Sequence, residues 1–330
     1  MLSRHFLRAK ALQTLYAGVT NQTTTADEIG ASFDYNVGQL NNLGFIQLST
    51  LMQLTFTAAR TEENEALKFN PQAEELAMLH RWANNRLVGG IESSFEYRQL
   101  AQKQELDWSS HFDIFRKILN QFKSSKQYAD YMAIAEPTFA DDQAVAVVAL
   151  KHLMTDDSLH DLIAEHALLW DDDYFQIAQY VLMLLKEQTE EGTNEAMRCP
   201  QVYDPRNEKE LNDYNFARQL AIDTFRQMDD VEPLLKKHLQ NWELERVALI
   251  DLLLINMAVT EFTCCPSIPE RVTVDEYIEL SKEFSTEKSK LFINGILDKL
   301  LIELRVAGKV EKNERGLYDP ELDGDTPPEG

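Results

Sequence analysis

Arg4, His5 and Arg8 stand together near the start of the chain, with Lys10 just beyond and no acid among the first twenty residues. Spaced four apart, Arg4 and Arg8 would share one face of a helix. Guanidinium groups carry rigid forks of N–H donors that suit phosphate oxygens, so this cluster could contact a polyanion. The alternative is a solvated helix face. A second set lies near the C-terminus: Lys288, Lys290, Phe292 and Asn294. The two ammonium groups could add phosphate contacts. A ring can stack on an unstacked base, and an amide can read a base edge. Burial in the core is the competing reading for Phe292.

Other chemistry finds little support. Asp141-Asp142, Asp156-Asp157 and Asp171-Asp172-Asp173 lack the glycine and spaced carboxylates of a calcium loop. His152, His160 and His166 do not form a HExxH pair. Helix N-terminal acids and exposed turns account for these runs, so no metal site is expected. Cys199, Cys264 and Cys265 make neither a disulfide framework nor a CxxC pair, and reduced thiols are expected. No phosphate-binding glycine loop or nucleophile elbow is present. The chain therefore reads as a non-enzyme with no catalytic residue and no cofactor.

The elements that must position these residues are helical. Of 330 residues, 44% are hydrophobic, while twelve glycines and ten prolines are few and scattered, which favours long helices over many short strands. The fold class is all-α. Residues 3–18 form the first predicted helix, with Phe6, Leu7, Ala11, Leu15 and Val19 at spacings near three and four. A polar loop follows from Thr20. Leu40–Ala59 is apolar enough for a buried helix. Trp108, Phe112, Phe115, Leu119 and Phe122 mark one amphipathic face. Val145–Met154, Leu159–Trp170 and Phe175–Leu185 give three more helices, and Gln188–Asn207 is the best linker. Phe216, Arg218 and Leu220 sit on one predicted helix, and Leu234–Leu239 on another. Leu249–Val259 is apolar nearly all round and should be a central buried helix. Thr273 and Glu276 have capping-box spacing, and Thr286 can cap the last helix, to about Val306. The tail from Lys309 is charged. No run is long and apolar enough for a membrane span, and the N-terminus lacks the pattern of a signal peptide.

The net charge of −23 is unevenly spread: residues 21–240 carry −17. Any nucleic-acid site must be a local patch on a body that repels phosphate. The same acidity suits a basic protein partner.

Two blocks resemble the NusB family of transcription antitermination factors. The first is Arg4-x-x-x-Arg8 followed by Ala11-Leu-Gln-Thr-Leu-Tyr16. The second spans about 212–300. It contains Asn241-Trp-Glu-Leu-Glu-Arg246, the apolar helix to Glu261, Ile268-Pro269, Val274 to Lys282 and Phe292-Ile-Asn-Gly-Ile-Leu-Asp-Lys299. Asn84-Asn-Arg86, Tyr128-x-x-Tyr131-Met132, Trp170-Asp-Asp172 and Gly316-Leu317 look like long members of the family that carry a helical insertion. The resemblance implies a pair of helical bundles: residues 1–20 a first NusB-type helix, 21–210 a large helical insertion, 211–308 a C-terminal bundle and 309–330 an acidic tail. It implies a cytoplasmic, RNA-binding antitermination factor. Its expected partners are a NusE-type small-subunit ribosomal protein, boxA-type single-stranded RNA and the RNA polymerase antitermination complex. RNA contacts would come from Arg4, His5, Arg8, Lys288, Lys290, Phe292 and Asn294. Tyr16 and Asp251 match positions facing the protein partner. Asp251, inside an apolar helix, otherwise needs an internal partner such as Tyr16, or solvent. A protein-interaction scaffold with little RNA affinity is the alternative function. A helical enzyme with its site in the insertion is a further one.

Overall fold

A computed structural model of the chain describes residues 2–104, 107–166, 171–190, 202–238 and 246–317. Among these residues the regular structure is helical, with fourteen α-helices and one short 3-10 turn. The all-α expectation holds. No described helix is long and apolar enough to cross a membrane. Two compact units emerge: Gly38–Asp204, and Leu2–Val37 together with Pro205 onward.

The second unit contains α1 (Arg4–Thr20), α11 (Glu208–His238), α12 (Leu249–Cys264), α13 (Glu270–Phe284) and α14 (Ser289–Val306). Ser3 caps α1 by accepting from Phe6 N. The start of α2 (Ala26–Ala66) also belongs here, to Val37. Thr25 and Glu28 exchange side chain-to-backbone bonds at that start, a capping box absent from the sequence reading. The expected first boundary at residue 20 therefore differs from the structural division, which falls inside α2. α12 is the hub, packed by α1, α11, α13 and α14. Leu253, Leu254, Ile255, Met257 and Ala258 have no exposed surface, as its all-round apolar sequence requires.

Three local expectations need correction. α11 is one helix through Pro233, with no break before Leu234. A proline removes one N–H, but the packed face of α11, including Val231 and Leu235, stays buried across it. α13 starts at Glu270 after Pro269, so Thr273 is internal. Its hydroxyl is fully buried and donates to Glu261 at 3.0 Å instead of capping. α14 has Lys288 in the capping position with no side-chain cap, and Thr286 bonds the Ser289 hydroxyl.

The first unit holds the rest of α2 and the helices α3 (Ala73–Ala83), α4 (Arg86–Ser93), α5 (Phe95–Gln104), α6 (Phe112–Lys123), α7 (Lys126–Met132), α8 (Phe139–Met154), α9 (Asp157–His166) and α10 (Asp171–Glu187). α8 packs against α4, α6, α7, α9 and α10. Trp108 precedes α6 in the short turn, and Phe115, Leu119 and Phe122 are buried as their spacing predicts. Asp142 gathers the neighbouring elements. Its carboxylate accepts from Arg86 Nε at 2.6 Å and Tyr131 OH at 2.5 Å, and its backbone oxygen accepts from Asn85 at 2.9 Å. Most of the expected linker, with Cys199, lies outside the described residues, as do Trp170 and the start of the Asn241–Arg246 block. Within the described part of that linker, Val202 is buried and Tyr203 pairs its backbone with the Asn41 amide.

Candidate nucleic-acid interface

Arg4, His5 and Arg8 of α1 face carboxylates of the same unit. Arg4 Nε donates to Asp213 at 2.6 Å, and its guanidinium lies over the Phe216 ring. His5 sits between two acids of α13, with Nδ1 2.8 Å from Glu276 and Nε2 2.9 Å from Glu283. Burial opposes its charge, but the hydrogen bonds to Glu283 and Glu276 prevail and hold His5 above its ordinary pKa. Arg8 is buried. It gives Glu261 two bonds of 2.8 Å and approaches Glu276 at 3.3 Å. Burial again opposes the charge, and Glu261 more than compensates, so the guanidinium is held further into its charged form. Glu261 also accepts from Thr273 and from Tyr277 OH at 3.2 Å. Lys10 is buried too and bonds Gln13.

Arg8 thus joins α1 to α12 and α13 and presents no open donor face. Arg4 is half-buried and His5 is part-exposed, and both are engaged. The sequence reading counted these three cations as a solvent-facing set and missed their acids. Glu261 carried the same signal as Asp251, an acid at the end of an apolar helix.

The second set lies at the start of α14. Lys288 is exposed, while Lys290, Phe292 and Asn294 are half-buried. Among the described residues Lys288 and Lys290 have no ion-pair partner. These residues occupy successive turns, so Lys290 and Asn294 are neighbours four apart and Lys288 and Phe292 likewise. Phe292 is neither core nor fully open.

Tyr16 is 37% exposed on α1. Asp251 is buried near the start of α12 and accepts from Ser285 at 2.6 Å and Ser289 at 2.9 Å. Its need for an internal partner is met by these serines and not by Tyr16. The bonds tie the first turn of α12 to the first residue of α14, so Asp251 fixes the start of α14.

A cavity of about 240 Å³ opens beside α1, lined by Arg4, Phe216, Asp223, Cys264 and Pro266. Cys264 is exposed, whereas burial, with Glu261 nearby, pushes the Cys265 thiol up to about 12. Among the described residues no group of three or more metal-type side chains is assembled.

A model of the NusB family matches residues 175–301. Three curated relatives are named transcription antitermination protein NusB. That of Salinibacter ruber is 40% identical over 103 residues, 31% of this chain and 64% of the relative. That of Chloroherpeton thalassium is 36% identical over 105 residues, 32% of this chain and 50% of the relative. That of Desulfatibacillum aliphaticivorans is 40% identical over 100 residues, 30% of this chain and 68% of the relative. The chain belongs to the NusB family. It spans only 64% and 50% of the first two NusB relatives. The NusB match covers α11 to α13 and most of α14 and reaches back into α10, earlier than the block read from the sequence. No solved structure matches the chain significantly.

Proposed function

We propose that this chain is an RNA-binding transcription antitermination factor. It joins a NusE-type small-subunit ribosomal protein, and the pair holds boxA-type single-stranded RNA of ribosomal RNA leaders for the RNA polymerase antitermination complex. That role is cytoplasmic and involves no catalysis. Membership of the NusB family carries the reading. The start of α14 supports it: Lys288 beside Phe292, and Lys290 beside Asn294, bring charges that have no ion-pair partner among the described residues. In this reading Lys288 and Lys290 hold phosphates, Phe292 stacks and Asn294 reads a base edge. Arg4 and His5 lend donors at the rim, and Arg8 braces α1 from below. Tyr16 meets the protein partner, and Asp251 orients the α12–α14 corner.

One observation favours a second reading, a protein scaffold with little RNA affinity of its own. Arg4, His5 and Arg8 are already matched by Asp213, Glu261, Glu276 and Glu283 on a chain of charge −23. Titrating boxA-type RNA at several salt concentrations, with and without the NusE-type protein, separates the two. Salt-dependent binding that appears or strengthens with the partner supports the first reading. Partner binding without RNA affinity supports the second. A chain that binds neither defeats both.

A further inference from the structure

α5 is fixed to the first unit along one side. Ser94 stands before it and accepts from Tyr97 N at 3.2 Å. Tyr97 is buried, its ring centre 5.3 Å from that of Phe45. Gln104 Nε2 donates to Asn42 at 2.8 Å. The opposite side faces solvent. Phe95 is 72% exposed, and Arg98, Gln99, Gln102 and Lys103 are exposed with it. At 3.6 residues per turn Phe95, Gln99 and Gln102 fall within about 60° of arc, and Arg98 and Lys103 stand about 40° beyond either edge. A ring and two amides thus run down the middle, between two cationic rims.

No acid interrupts this face, on a chain with 55 acids against 32 bases. Neither Arg98 nor Lys103 has an ion-pair partner among the described residues. The acids around it are drawn elsewhere. Glu92 of α4 acts on Arg98 across space, yet partial burial raises its carboxyl above the ordinary range against the pull of Arg98. Glu96 lies past the Lys103 edge and buries one carboxylate oxygen. Asp107 accepts from Ser109 N at 2.8 Å. Beside the row, a depression of about 630 Å³ is lined by Glu96, Gln99, Leu100, Gln102 and Lys103. A lone exposed apolar residue is ordinary. Phe95 differs in its company, because cations that suit phosphate and amides that suit base edges stand within about three turns of the ring. A protein partner would need a larger apolar centre than one side chain.

We propose that the outer face of α5 is a second binding site for single-stranded RNA. Arg98 and Lys103 hold phosphates on either side, Phe95 stacks on a base, and Gln99 and Gln102 meet base edges. The site rests on the RNA-binding reading for the class of its ligand, but needs neither the protein partner nor the start of α14.

Photocrosslinking and RNA titration of the full chain, without the partner, test this. The probe is a mixed-sequence single-stranded RNA substituted with thiouridine. Crosslinked peptides should include Phe95 to Lys103. In a chain carrying Lys288→Ala and Lys290→Ala, RNA binding should persist. In that chain Phe95→Ala should weaken binding at least about fivefold. Arg98→Ala and Lys103→Ala should each lower the salt slope of log affinity by about 0.7. All three positions are exposed, so the helical spectrum should not change. Crosslinks confined to α14, with no effect of the α5 variants, overturn the proposal and leave the antitermination reading standing. A chain that takes up RNA only with the partner, or loses all binding with the two lysines, overturns it as well. So do α5 variants that keep RNA binding but lose the NusE-type protein, which would assign the face to a protein.

Discussion

Glu261 receives the Arg8 guanidinium at two points, 2.8 Å each, where the two side chains are 0% and 2% exposed. This pair links the first helix to the hub of its bundle. Removing one member of a buried pair strands the other charge, at a cost of about 3–5 kcal/mol. Arg8→Met should therefore lower unfolding free energy by that amount in denaturant titrations. A loss under about 1 kcal/mol would show that α1 is held by its apolar face alone.

His5 gives a pH signature. Its folded pKa is raised through Glu283 and Glu276 against the cost of burial. Its contribution is therefore complete below the unfolded histidine pKa and disappears as pH rises through the higher folded value. The stability difference between the wild type and His5→Gln should shrink as pH increases across that window. A difference that stays constant, or grows with pH, would show that protonated His5 does not bridge the two acids.

Lys288 and Lys290 should act through charge and Phe292 through stacking. For single-stranded RNA, each lysine changed to Ala should reduce the salt slope of log affinity by about 0.7 for every phosphate no longer neutralised. Phe292→Ala should cost about 1–3 kcal/mol of binding with little change in slope. The partner complex is the species to titrate. If both lysine changes leave slope and affinity intact, the RNA face lies elsewhere.

Leu253→Ala should destabilise the second unit by about 2–5 kcal/mol, because the side chain is fully buried in α12. Thermal unfolding followed by circular dichroism reads this directly, and a marginal shift would place Leu253 outside the core.

Gly316 approaches the Pro266 carbonyl so closely that an added Cβ would stand 2.0 Å from its oxygen. Asn313 also donates its backbone N–H to that oxygen. Gly316→Ala should displace the segment after α14 and speed protease cleavage near Asn313. Unchanged cleavage kinetics would show that the backbone yields without cost.

Helix positions were legible where apolar spacing was regular, as in α6, or where a run was apolar all round, as in α12. Boundaries failed where a side chain took tertiary work instead of local capping. Thr273 has the spacing of a cap but serves Glu261. Pro233 reads as a breaker, yet α11 buries Val231 and Leu235 on either side of it. The site was legible by residue type and not by partner. Arg8 looks like a phosphate ligand from its sequence neighbours, and its acid lies 253 positions away. No periodicity carries that information. The serines that satisfy Asp251 were equally invisible, because they sit in the turn and the first residue of a later helix.

Asp142 bears on how the first unit can change over time. One carboxylate serves both Arg86 and Tyr131. Its replacement by an apolar residue would take the acceptor of the Tyr131 phenol and one partner of the Arg86 guanidinium, which keeps the Pro137 carbonyl, in a single step. Replacing Arg86 or Tyr131 first leaves the Asp142 carboxylate its other side-chain donor and the backbone N–H of residue 86, a milder intermediate. Divergent copies of this unit should thus lose the arginine or the tyrosine before they lose the aspartate, and the order of substitutions along a lineage should run in one direction.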